Sequence, residues 1–418
     1  MRRPVKVRGL IFGLVIAVIA AACSSSKNTA SGTGSGASKS KGPTSTLTIG
    51  ALFSETGPYS AFGLTELGGL KTAVAQINSS GGIPVGGVHY MVKLVTGDAA
   101  SDAGKAQAAA TGLVRDAGAK IVFIPGETPT ALPVQAAIAP SGDLMLTDNP
   151  TISASLEQNP NSALNQHTFT VQPPNQDNLA EFLKLLKQLM GPSFPSTTEM
   201  MFPDTQTYSG WIDGWASASE AQGAKVLPAV RFPLTATDFT PYLTQVKAKH
   251  PGIIALGATA KSVEAMVLQM EQLGDVAGAV FSTAATASVG LTGNNGKPLT
   301  FPYYYELGDW SDPALNNPAV KAFFDSYAQA NGGPPDPGNA AYAGLAYEMM
   351  LALSQAIQKA GTVTDVDTIS NDLVGIQTKI PTGTFSFSAK HIGSQPGEVC
   401  SVINGVGPKC VFGTLEGQ

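Results

Sequence analysis

From Leu47 onward, short apolar runs alternate with stretches in which apolar residues recur every three or four positions. The run Leu47–Phe53, followed by a loop of small and polar residues, predicts a buried strand. A helix is predicted from about Gly63 to Ser79, because Leu67, Leu70, Val74 and Ile77 share one face; Ser79-Ser80-Gly81-Gly82 ends it. The alternation continues with a strand at Tyr90–Thr96, a helix at Asp102–Asp116 and a strand at Lys120–Ile124. A short helix at Leu132–Ala139 and strands at Leu144–Thr147 and Thr168–Val171 close the first set.

The rhythm then restarts. Strands are predicted at Met200–Phe202, Lys225–Val230, Ile253–Leu256 and Val280–Thr283, with helices near 209–222, 239–249 and 260–273 between them. Helices near 318–330 and 339–360 follow, and the tail from Thr384 reads as strands with hairpin turns. Strands alternating with helices imply a parallel sheet covered on both faces, and two such runs imply two α/β lobes. Ligands of open parallel sheets sit beyond the carboxyl ends of the strands, which directs attention to the loops after 53, 124, 147, 171, 202, 256 and 283. These loops carry polar, small and aromatic residues, such as Gly126-Glu127-Thr128-Pro129-Thr130 and Asp148-Asn149-Pro150-Thr151.

The N-terminus changes where this protein is placed. Arg2, Arg3, Lys6 and Arg8 precede an apolar run from Leu10 to Ala22, then Cys23 and a Ser/Gly/Thr/Lys stretch to about residue 45. The apolar run is shorter than the roughly 20 residues a membrane span requires, and it fits the core of a secretory signal. The segment resembles a bacterial lipoprotein signal: residues 1–22 would be removed, Cys23 lipidated, and 24–45 left as a flexible linker. That implies export to the outer face of the bacterial cytoplasmic membrane, with the lipid as the contact to the bilayer.

Removing residues 1–22 takes four basic residues and no acidic one from 25 basic and 30 acidic, leaving 21 against 30 and a formal charge of −9. Such a balance argues against nucleic acid as a partner. About 370 residues remain after the linker, comfortable for two domains. Cys400 and Cys410 flank the turn signal Asn404-Gly405, so returning strands would bring their sulfurs within bridging reach in an oxidising compartment. A structural disulfide is expected there; a zinc site lacks a second pair of ligands.

Catalytic equipment is sparse. The histidines are His89, His167, His250 and His391, with no metal-ligand spacing between any two. There is no Gly-x-Ser-x-Gly elbow, phosphate-binding Gly-x-x-x-x-Gly-Lys loop or His-Glu-x-x-His helix. Glu55 and Glu127 read as solvated carboxylates on separate loops more readily than as a catalytic pair. No enzyme activity, cofactor or metal is expected. Binding chemistry fares better: Thr128 and Thr130 precede an apolar helical segment, where a hydroxyl either caps the helix or meets a ligand carboxylate, and both readings stay open. Tyr59, Phe62, Tyr208 and Trp310 lie in or beside loops and would suit the walls of a small-molecule cleft.

The chain resembles the bacterial ABC-transporter substrate-binding proteins of the leucine/isoleucine/valine-binding family. The residues that carry this are Ile49-Gly50-Ala51, Thr56-Gly57-Pro58 and Ala75-Gln76-Ile77-Asn78-Ser79-Ser80-Gly81-Gly82-Ile83. Further along they are Asp98-Ala99-Ala100-Ser101-Asp102, Thr237-Asp238-Phe239, Ala341-Tyr342-Ala343, Ala356-Ile357-Gln358-Lys359-Ala360-Gly361 and Pro381-Thr382-Gly383-Thr384-Phe385-Ser386-Phe387. The resemblance implies the type I periplasmic-binding-protein fold, α/β, with two Rossmann-like lobes of parallel sheet joined by three crossovers near 172, 303 and 379. The first lobe would be 46–172 with 304–378, and the second 173–303 with 379–418.

The resemblance also implies a monomer that encloses a small-molecule solute and delivers it to an ABC permease. Hydroxyls for a ligand carboxylate fall on Thr128 and Thr151, beside Thr130 and Asn149; pocket aromatics fall on Phe62 and Tyr208. The family's acids for a ligand ammonium fall on Asn175 and near Ala284, and a pocket tyrosine on Thr259. On those three positions a neutral amide or an amine-free carboxylate is a better fit than an α-amino acid, because an ammonium buried without a carboxylate is costly. An extracellular sensor module is the alternative. The chain's running to Gln418 without a transmembrane helix or cytoplasmic domain favours transport, and a secreted hydrolase is the weakest alternative.

Overall fold

The computed structural model describes residues 42–283, 296–307, 317–336 and 339–416. The signal, Cys23, nearly all of the linker, Ala284 and Trp310 lie outside these described residues.

The first sheet contains β1 (Thr44–Phe53), β2 (Ile83–Val85), β3 (Val88–Asp98), β4 (Ile121–Phe123), β5 (Leu144–Thr147) and β6 (Thr168–Thr170), in the order β2-β3-β1-β4-β5-β6. All neighbours are parallel except β2 and β3, a hairpin turned by Gly86 and Gly87 at φ 57° and 82°, a conformation other residues adopt at a cost. Side chains alternate faces along each strand. Ile49, Ala51, Phe53, Ile121 and Phe123 enter one core, while Leu52, Val122 and Ile124 enter the other. Helices α1 (Ser60–Ser79), α2 (Ala103–Arg115), α3 (Thr128–Ile138) and α4 (Pro150–Gln158) accompany these strands.

The second sheet is built around β7 (Thr197–Pro203), β8 (Lys225–Val226), β9 (Val230–Phe232), β10 (Ile253–Leu256), β11 (Val280–Ser282) and β12 (Tyr303–Leu307). Helices α5 (Asn175–Met190), α6 (Gln206–Ala221), α7 (Thr240–Lys247) and α8 (Ala260–Leu273) belong to this part of the chain. Leu256, Val280 and Tyr303 face one core, and Phe202, Ala255 and Phe281 face the other. After α9 (Pro318–Asn331), α10 (Ala340–Ala360) and α11 (Val366–Leu373), the chain ends in β13 (Thr378–Ile380), β14 (Gly383–Phe387), β15 (Gly393–Ile403) and β16 (Val406–Leu415). Cys400 and Cys410 stand opposite one another on β15 and β16 and are joined by a disulfide.

Several boundaries differ from those read in the sequence. The strand expected at Lys225–Val230 is two pieces, because Pro228 between them has no N–H for the ladder; both pieces pair with β7. α3 begins at Thr128, four residues before its expected start, with Pro129 in its first turn, where a missing N–H costs nothing. α4 is too short to declare a period, whereas α5 carries Leu179, Phe182, Leu183 and Leu186 on one buried face and could have been read. At the crossing expected near 303, β12 is in the second sheet through Leu307, paired with β11 and β15. Around the crossing expected near 379, Ile380, Phe385 and Phe387 pack with the core of β1 and β4, while β14 pairs with β15 of the second sheet.

Candidate functional site

In each sheet the first strand has neighbours on both sides that leave it in opposite directions: β1 between β3 and β4, and β7 between β8/β9 and β10. Loops diverge at such a reversal and open a crevice at the carboxyl ends of the strands. A cavity of about 710 Å³, its open mouth included, occupies that crevice. Tyr59, Phe62 and Glu66 reach it from the start of α1, Gly126 and Glu127 from the end of β4, and Asp148 from the end of β5. Across from them stand Thr207, Tyr208 and Trp211 of α6, Ala258 after β10 and Thr283 after β11. Pro150 and Gln172, with Asn339 and Tyr342 at the start of α10, complete the wall.

The aromatic residues are held by packing. Phe62 meets Tyr342 edge to face with ring centres 5.0 Å apart, and Tyr208 leans on Phe202 at 5.8 Å. Burial pushes the Tyr208 phenol up, and its proximity to Tyr59 pushes it the same way. These two phenols come from different lobes.

The first-lobe wall is acidic. Ser54, at the end of β1, donates its hydroxyl to Glu127 Oε1. Burial raises Glu127 to about 7; the Ser54 hydroxyl opposes the rise and the charge of Asp148 adds to it. Burial raises Asp148 to about 6, against a hydrogen bond from Glu66. Burial also lifts Glu66 well above the ordinary carboxylate range, with Asp148 and Glu127 adding charge repulsion. Burial raises both carboxyls, and two carboxyls joined by a hydrogen bond share a proton as a pair. None of the lining residues is Lys, Arg or His.

Tyr59, Phe62 and Tyr208 thus line the cavity, as does Glu127, whose partner is Ser54 rather than Glu55. The other expected binding residues are placed elsewhere. Thr128 Oγ1 lies 3.0 Å from Thr151 Oγ1 and accepts from Asn149 Nδ2 at 3.1 Å, while Asn149 Oδ1 caps α4 through the Ile152 N–H. Thr130 turns its hydroxyl back to the Glu127 carbonyl at 3.0 Å, so its role is within the helix start. Asn175 and Thr151 line a separate groove with Gly210 and Gly214. Thr259 caps α8 through Ser262, and its neighbour Ala258 is the residue that faces the cavity. Ala284 and Trp310 lie outside the described residues.

Glu66 and Trp211 were not singled out from the sequence, and Asp148 and Tyr342 were named there only within a loop and a family segment, without a site role. Glu66 had a signal: it stands four residues from both Phe62 and Leu70, a carboxyl on the apolar face of a helix. Among the described residues, one group of three acidic or thiol side chains converges closely enough for a metal, Glu398 with Cys400 and Cys410, and the disulfide already uses both sulfurs.

The family model for periplasmic binding protein matches residues 46–405. A Leu/Ile/Val-binding protein, BraC3 of Rhizobium johnstonii, is 25% identical over 334 residues, covering 78% of this chain and 83% of that one. Among solved structures, the branched-chain amino acid transporter substrate-binding protein LivJ of Streptococcus pneumoniae, in complex with isoleucine, superposes with a TM-score of 0.69 at 18% identity, covering 88% of this chain and 100% of the other. A solute-binding protein of an ABC transporter from Rhodopseudomonas palustris, in complex with p-hydroxybenzoic acid, gives 0.70 at 20% identity, covering 89% and 98%. The architecture is that of type I periplasmic binding proteins.

Proposed function

The chain belongs to the periplasmic binding protein family, and we propose that it is the solute-binding component of an ABC importer, exported and tethered by a lipid on Cys23. The observation that carries this reading is the shared cavity, with Tyr59 and Phe62 on one side and Tyr208 and Trp211 on the other. A solute bridging those walls favours the closed arrangement of the lobes through hinge motion. Closure removes water and strengthens each polar contact inside. The aromatic walls suit a small organic solute with an apolar or aromatic body. No covalent step is required.

The test is thermal unfolding of the chain from Ser24 onward against a library of amino acids, amides, amines and carboxylates. A solute at a hundred times its dissociation constant stabilises the protein by roughly 2.7 kcal/mol. Stabilisation by one chemical class, lost on substituting Tyr208, supports the reading. A broad library without a single stabilising solute would sink it. Fractionation of cells producing Cys23→Ala tests the tether: release from the membrane is expected.

A further inference from the structure

Resting on that reading of the cleft, we propose that its solute carries an organic cation, an ammonium seated on the acidic wall to which Glu66, Glu127 and Asp148 belong, with its apolar body among the aromatic walls. Three carboxyls alone do not make such a site. The second observation is a set of acceptor oxygens with no partner. Glu66 Oε2, Glu127 Oε2 and Asn339 Oδ1 are buried without a hydrogen bond, on residues 3%, 5% and 2% exposed, and all three residues line the same cavity. Buried acceptors without donors are costly. The missing complement to these three oxygens is a group that brings several donors.

An ammonium brings three N–H donors and a positive charge, while a carboxylate brings neither. An anionic solute could be held only while those carboxyls keep their protons, because no compensating cation stands among the lining residues. The stretches 284–295 and 308–316, outside the described residues, contain no Lys, Arg or His either. The hydroxyls of Thr128 and Thr130, expected for the carboxylate of an α-amino acid, are engaged inside the first lobe, and Thr207 Oγ1, a cavity-lining hydroxyl without a partner, offers a carboxylate a single neutral donor. An ammonium differs from the neutral amide or amine-free carboxylate expected from Asn175, Ala284 and Thr259, because here the carboxyls come from α1 and from the ends of β4 and β5. Aromatic faces add cation–π attraction.

A proton balance accompanies binding. The cluster holds protons when empty, and a seated cation favours its charged form, so binding releases protons and tightens as pH rises. The remaining titratable groups around the cluster do not offset this. Burial keeps the phenols of Tyr208 and Tyr342 protonated, and burial raises the carboxyl of Glu306 well above its ordinary range. The phenol of Tyr59 adds no positive charge.

Three probes with one carbon skeleton and different charge decide the matter: phenethylamine, phenylalanine and 3-phenylpropionate, measured by calorimetry with the chain from Ser24 onward. The expected result is that phenethylamine binds at least tenfold tighter than the other two. Its affinity should rise up to about tenfold per pH unit for each proton released, between roughly pH 5 and 7. Glu127→Gln should reduce that pH dependence by the proton Glu127 releases, and Glu55→Gln, outside the cavity, should leave it unchanged. Tighter binding of phenylalanine or phenylpropionate overturns the cation subsite while leaving the solute-binding reading intact. Absence of binding by all three overturns it for arylalkyl ammonium ions, and silence across the wider library as well removes the underlying reading.

Discussion

The carboxylate of Asp148 fills the space that a side chain at position 126 would need: a Cβ on Gly126 would stand 2.0 Å from Asp148 Oδ1. The glycine at the end of β4 therefore lets the acid at the end of β5 reach the cavity beside Glu66 and Glu127. Gly126→Ala should displace Asp148 and weaken solute binding at least tenfold. Because overpacking costs about 1–3 kcal/mol, melting should fall without loss of the fold. Calorimetry and circular dichroism on the same sample would show both. Unchanged affinity would exclude Asp148 from the site.

Glu127 sets a pH dependence of stability. Its value is about 7 in the folded protein against an ordinary 4.5, so between those values the native state binds more protons than the unfolded chain. Its contribution to stability therefore falls as pH rises through that window. Glu127→Gln does not titrate and should gain on the parent by up to about 3 kcal/mol between pH 4 and 8. Urea denaturation at several pH values measures the gap, and a constant difference would contradict the burial of this carboxyl.

Trp211 presents its side chain to the cavity from the second lobe while remaining only partly buried. Trp211→Ala should weaken solute binding about tenfold, or roughly 1.4 kcal/mol, and change the melting temperature of the ligand-free protein little. A large loss of stability with unchanged affinity would place this residue in the core.

The disulfide between Cys400 and Cys410 closes a short loop between adjacent strands. Replacing both by Ser should cost about 2–3 kcal/mol of unfolding free energy, with solute affinity retained, because neither cysteine lines the cavity. Lost binding in a folded double variant would couple the terminal hairpin to the cleft.

What the sequence determined by itself was the architecture. A strand of period two and a helix of period 3.6 leave marks within a few residues, so β1, α1, β10 and α8 were legible from local spacing. The loops to inspect followed from the sheet rule, and Tyr59, Phe62 and Tyr208 followed from those loops. The tertiary structure decided which polar groups face the cavity and which face one another. Thr128, Thr151 and Asn149 close a hydrogen-bond network inside the first lobe, although their residue types suit a ligand equally well. Glu66, Glu127 and Asp148 come from positions 61 and 21 residues apart and converge on one wall. Their protonation depends on burial and mutual charge, which are properties of the folded arrangement. Spacing along a chain encodes which face a residue occupies; the company it keeps on that face is set only when distant segments pack together.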